Sequence, residues 1–81
     1  MNQFFVYILK SSKTGRYYIR YTGNLGQRLK YHNMGKNIST KGGGPWELVY
    51  TESLPTKAEA WKRGRQIKSY KGGVAFKKLV E

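Results

Sequence analysis

Tyr7, within Val6-Tyr7-Ile8, and Tyr18, within Tyr18-Ile19-Arg20, are followed at helical spacing by Leu25, Arg28, Leu29 and His32. These residue types can act together on a phosphodiester. A hydrogen-bonded phenol or phenolate relays a proton from attacking water, a guanidinium holds phosphate through two parallel hydrogen bonds, and an imidazole shares the proton traffic. Each residue alone has a plainer reading. Strand tyrosines are usually packing residues, an arginine on an apolar stripe can lay its stem along the core, and a histidine near a helix end is favoured by the dipole. The convergence of all four carries the expectation of one reactive surface. Hydrolysis of this kind generally adds a divalent cation to neutralise developing charge, and magnesium asks for at least one carboxylate. The acidic residues are Glu47, Glu52, Glu59 and Glu81, with no paired-carboxylate or Asp-rich cluster.

The elements that must position these residues follow from patterning. Gln3 to Lys10 alternates Phe5, Tyr7 and Leu9 with Phe4, Val6 and Ile8, as expected of a central strand covered on both faces. Ser11 to Gly15 is a polar loop, and Arg16 to Thr22 pairs back as a hairpin. Tyr18, Arg20 and Thr22 then share one face, with Tyr17, Ile19 and Tyr21 on the other. Asn24 caps a helix to about Asn33, on which Leu25, Arg28, Leu29 and His32 form one stripe, with Gly35 as the stop signal. Residues 35–45 form a glycine-rich basic loop, and Trp46 to Ser53 a third strand. Thr56-Lys57-Ala58-Glu59 matches a capping box opening a helix to about Lys71, with inward stripe Ala60, Trp61, Gly64 and Ile67. Gly72-Gly73 breaks the chain before a short helix from Val74 to Val80. Gly64 costs roughly 1 kcal/mol relative to alanine inside a helix, and close packing against a strand is the local reason to expect one.

Composition sets the partner. Sixteen Lys and Arg against four acidic residues give the 81-residue chain a net charge of +12 with no low-complexity tail, so the charge belongs to one folded domain, residues 1–81. Nucleic acid is the leading partner; an anionic membrane surface or plain solubility is the rival reading. There is no cysteine, hence no disulfide framework or zinc-thiolate site. The longest apolar run, Phe4 to Leu9, is too short to span a bilayer and lacks the features of a signal peptide. The expectation is a soluble cytoplasmic protein, monomeric by default.

Several ordered segments resemble the small stand-alone GIY-YIG proteins: Val6-Tyr7-Ile8-Leu9, Tyr17-Tyr18-Ile19-Arg20-Tyr21-Thr22, Asn24-Leu25 with Arg28-Leu29 and His32-Asn33, Pro45-Trp46-Glu47-Leu48-Val49-Tyr50, and Lys57-Ala58-Glu59-Ala60 leading to Gln66-Ile67-Lys68. The resemblance covers nearly the whole chain. It is also similar to the N-terminal nuclease domain of a bacterial excision-repair protein and to parts of homing endonucleases. It implies an α+β fold, a three-stranded antiparallel sheet flanked by about three helices, and metal-dependent hydrolysis of DNA with Mg2+ or Mn2+. Tyr7 and Tyr18 match the tyrosines lining the site, with Tyr18 the general base; Arg28 matches the arginine on the scissile phosphate, and His32 a histidine of the stand-alone subgroup. Residues expected to hold nucleic acid, with DNA the expected partner, are Arg20, Lys36, Lys41, Lys62, Arg63, Arg65 and Lys68.

Two positions depart from the family pattern. The glycine closing the second motif is Arg20, and the position of the single metal-binding glutamate is Gly64. Glu59 substitutes poorly, since five residues along a helix mean roughly 7.5 Å of rise and about 140° of rotation. Either Arg20 places a fixed positive charge in space freed by Gly64, or both changes mark lost cleavage. The sequence therefore predicts a GIY-YIG-type endonuclease domain with weak or absent activity; the alternative is a non-catalytic basic nucleic-acid-binding module, and a ribosome- or membrane-associated role explains only the charge.

Overall fold

Val6, Tyr7, Ile8 and Leu9 are consecutive and all buried, as in a strand covered on both faces. In the computed structural model, which describes residues 3–33, 44–70 and 73–80, they lie in β1 (Phe4–Ser11). β1 runs between β2 (Tyr17–Thr22) and β3 (Trp46–Leu54) in a three-stranded sheet of order β2-β1-β3, antiparallel throughout. The β1–β2 turn is closed by Ser11, whose Oγ accepts the amides of Lys13 and Thr14, and by Gly15 at φ 75°. Among the described residues, this left-handed conformation is the one that calls for glycine.

The two faces of the sheet carry different cores. Helices α2 (Lys57–Ser69) and α3 (Val74–Val80) cover one face, where Ala60, Ile67 and Phe76 pack on Val6 and Ile8. On the other, Leu25 and Leu29 of α1 (Leu25–Asn33) pack with Tyr7, Leu9, Tyr18, Trp46 and Leu48. This α+β arrangement, with its three helices, agrees with the sequence expectation. Phe4 to Leu9 is part of a strand, and no helix among the described residues is long and apolar enough to cross a membrane.

β3 does not alternate uniformly. Its register against β1 shifts between Ile8 and Leu9, which pair with Tyr50 and Leu48, so Val49 is the extra residue of a β-bulge. Val49 and Tyr50, though adjacent, both pack against the α2 side, whereas Trp46 and Leu48 join the α1 side.

Local hydrogen bonds set the helix ends. Thr22 Oγ1 accepts the Asn24 amide at 3.1 Å, and Asn24 Oδ1 accepts the Gln27 amide at 3.1 Å, so the predicted cap forms and ties α1 to the end of β2. At its other end Asn33 bonds both backbone groups of Trp46: Nδ2 donates to the carbonyl at 3.2 Å and Oδ1 accepts the amide. Thr56 Oγ1 accepts the Glu59 amide, as in a capping box, but its hydroxyl donates to the Glu59 carboxylate. α2 ends at Ser69, short of the expected Lys71. Gly35 and most of the glycine-rich loop lie outside the described residues.

Two expectations about α2 are corrected. Trp61 is 47% exposed and not inward, because Ala60, Gly64 and Ile67 already define the stripe and the next residue lies about 100° around the helix. Gly64 is buried, yet a Cβ added there would meet nothing within 4 Å. Its helix does not approach a strand closely at that point; open space lies beside it.

Candidate functional site

Strand register brings the tyrosines to one surface. Tyr7 pairs with Arg20 and Leu9 with Tyr18 across β1 and β2, and directly opposed residues project from the same face. α1 then carries His32 over them. The Tyr7 hydroxyl lies 2.9 Å from His32 Nε2. Tyr18 meets the His32 ring edge-on, with centroids 5.0 Å apart at 66°, and leans on Trp46 at 6.2 Å. The Arg20 guanidinium sits over the Tyr18 ring, 5.9 Å from its centroid.

The set is graded from interior to solvent. Tyr7 and His32 are 2% and 1% exposed, Tyr18 is half-buried, and Arg20 and Arg28 are exposed. Arg28 thus stands at the edge of the leucine stripe with its charge outward, while Leu25 and Leu29 are only half-buried. Both arginines still act on the buried pair. Burial first, then the neighbouring Tyr18, pushes the Tyr7 phenol up to about 12 against the opposing pull of Arg28 and Arg20. Burial also holds the His32 imidazole below its ordinary value, reinforced by Arg28 and then Arg20. Both groups are therefore neutral at pH about 7. The phenol keeps its proton, and the Tyr7 hydroxyl and His32 Nε2 share one hydrogen bond whose direction follows the imidazole tautomer. Burial disfavours the phenolate form of Tyr7, whose hydroxyl faces the histidine.

A second feature adjoins this surface. Arg20, Trp61, Gly64, Arg65 and Lys68 line a cavity of about 240 Å³ between β2 and α2, floored by Ile19 and Tyr21. Since β2 is an edge strand, Arg20 reaches round it, touching the Tyr18 ring and the cavity at once. Arg65 lies over the Trp61 indole, 5.0 Å from the ring centroid, a cation–π arrangement. No carboxylate lines the cavity, and among the described residues no group of three or more His, Cys, Asp or Glu could hold a metal ion.

The remaining basic residues separate. Arg63 turns toward β3, where Nε donates to both Glu52 oxygens at 3.2 and 3.1 Å; Tyr50 also donates to Glu52. Its charge is spent within the fold. Lys62 is exposed on α2, and Lys36 and Lys41 lie outside the described residues. Sequence reasoning missed Trp61 as a cavity residue, although its offset from the Ala60-Gly64-Ile67 stripe is visible in the spacing. It also missed Trp46 as the support of Tyr18, which no local pattern announces.

The family described as GIY-YIG catalytic domain matches residues 3–74. A UPF0213 protein of Staphylococcus epidermidis is 40% identical over 82 residues, spanning 100% of this chain and 99% of that protein. A UPF0213 protein of Staphylococcus aureus is 42% identical over 71 residues, covering 86% of this chain and 85% of its own. Among solved structures, the solution NMR structure of a UPF0213 protein from Bacillus halodurans is similar, with 38% identity, a TM-score of 0.50, and coverage of 83% of this chain and 71% of that one.

Proposed function

Because the chain belongs to the GIY-YIG catalytic-domain family, we propose that it binds nucleic acid, specifically DNA, across the Tyr18–Arg20–Arg28 surface, and that phosphodiester cleavage here is weak or lost. The observation that carries this reading is the cavity at Gly64. The family implies a divalent cation held by a carboxylate at that position, and the residues present do not fit one: Arg20, Arg65 and Lys68 surround the space without an acidic group. Three cations repel a divalent ion and attract a phosphate.

Within this reading Arg28 and Arg20 hold the phosphate, Tyr18 is the phenol placed to take a proton from attacking water, and the Tyr7–His32 pair fixes the base of the site from beneath. The inward hydrogen bond supports a positioning role for Tyr7. The absence of cationic neutralisation by a metal leaves charge stabilisation to the arginines alone, which act on binding before they act on chemistry.

Plasmid nicking with and without magnesium tests this on the natural chain, on Gly64→Glu, and on Gly64→Glu combined with Arg20→Gly, with Tyr18→Phe as control. The expected result is little nicking by the natural chain and magnesium-dependent nicking in the double variant, since a glutamate at 64 beside Arg20 alone would pair with it. Loss of that gain on adding Tyr18→Phe supports the assignment of Tyr18. Full magnesium-dependent activity in the natural chain refutes the reading, as does failure to bind nucleic acid at low salt. Metal-independent nicking abolished by Arg20→Gly would identify Arg20 as the fixed charge. The second reading, a binding module without chemistry, is favoured by the same cationic lining; no cleavage in any variant beside strongly salt-dependent binding identifies it.

A further inference from the structure

The cavity between β2 and α2 has a composition that a phosphate alone does not explain. Arg20, Arg65 and Lys68 give it positive charge, while Trp61 and the guanidinium stacked on it present a planar π surface at its mouth. A 47% exposed indole on a helix flank contributes little to the core; it lies outside the Ala60, Ile67 and Phe76 cluster. The volume, about 240 Å³, falls below the roughly 300–1,000 Å³ of drug-sized sites, so the space suits one small group such as a phosphate. Bases offer their faces to an aromatic ring only when unstacked from their neighbours.

We propose that this cavity is a nucleotide pocket, which takes the phosphate of one unpaired nucleotide between Arg20, Arg65 and Lys68 and sets its base against Trp61. The inference deepens the nucleic-acid reading above and rests on it for the biological source of the nucleotide. Arg20 joins the two features. It contacts the Tyr18 ring on one side and lines the pocket on the other, so a strand crossing the tyrosine surface has a cationic path into the pocket. The ligand is either a free mononucleotide or an unpaired position of a strand, and the two are separable.

The test follows the indole N–H signals of Trp61 and Trp46 by NMR while the intact chain is titrated with AMP, inorganic phosphate or Mg2+. Trp46 is buried on the opposite side of the sheet and serves as the internal reference. AMP should move Trp61 and leave Trp46 in place, phosphate should bind more weakly, and Mg2+ should move neither. Trp61→Leu should weaken AMP about 5- to 150-fold, the equivalent of one lost base stack, and leave phosphate unchanged. Arg20→Gln and Lys68→Gln should weaken both ligands. AMP binding no better than phosphate, equal movement of both indoles, or a Mg2+ response at Trp61 overturns the proposal. Displacement of AMP by a short 5′-phosphorylated single strand, but not by a blunt duplex, identifies a strand as the source. If strands bind without moving Trp61, the pocket fails and nucleic-acid binding stands; if AMP binds and strands do not, the pocket stands as a free-nucleotide site and the nucleic-acid reading fails.

Discussion

Replacing Gly64 by alanine isolates the open space beside α2 from any question of activity. Gly64 lies in the interior of a 13-residue helix, is buried, and would place an added Cβ more than 4 Å from its neighbours beyond the local helix backbone. The methyl group therefore introduces no clash and gains little packing. What remains is the backbone term: glycine costs about 0.8–1.0 kcal/mol relative to alanine in a helix interior, and glycine-to-alanine changes at compatible positions stabilise by about 0.4–1 kcal/mol. A gain of about 0.5–1 kcal/mol raises Tm by about 2–8 °C in a domain of this size. Thermal and urea unfolding followed by circular dichroism would measure it, with an unchanged urea m-value showing that the effect lies in stability. An unchanged or lowered Tm refutes the reasoning, because it would mean that something occupies the space and that the cavity is closed in solution.

Tyr7→Phe removes the hydroxyl that faces His32 Nε2 at 2.9 Å and should cost about 1–3 kcal/mol by depriving a buried polar atom of that partner; a loss below about 0.5 kcal/mol in urea titration contradicts the assignment. The pH dependence of stability follows from His32, the chain's single histidine. Its folded pKa is lowered, so the unfolded chain takes the proton first as pH falls. The contribution is complete above about 6.5 and is lost progressively as pH falls through the folded pKa, with a slope of at most about 1.4 kcal/mol per pH unit. Urea midpoints between pH about 7.5 and about 5 should decline for the natural chain and flatten in His32→Gln; equal slopes in both remove His32 as the cause. Asn24→Ala should cost about 0.5–2 kcal/mol through loss of the bond to the Gln27 amide, and no measurable change in unfolding would show that the cap does not form.

Legibility varied with the range of the interactions involved. The strands, both helix caps and the shared face of Tyr18 and Arg20 depend on alternation and on residues a few positions apart, and all were readable. So was the approach of His32 to the tyrosines, because the helical stripe and the strand faces leave few ways to close the α1 side. Arg63 was not readable as a structural cation: its partner Glu52 is eleven positions away on another element, and only the packing of α2 on β3 brings them together. Trp61 misled because its size suggests burial, whereas its angle from the Ala60-Gly64-Ile67 stripe decides its side. For Gly64 the missing side chain was visible, but whether a neighbour filled the space is a property of packing alone.

The bulge at Val49 makes face a matter of counting. Trp46 and Leu48 have the same parity as Tyr50 and Leu54, yet they serve opposite layers; one added residue inverts the phase of the strand midway. β3 thereby behaves as two short half-strands with different allegiances, one steadying Tyr18 and the other the support under α2. A side chain changed within either half perturbs its own layer, whereas deletion of Val49 would bring the two halves into phase and set them in direct competition. Strand length, independent of residue identity, is therefore a determinant of whether the tyrosine surface has a floor.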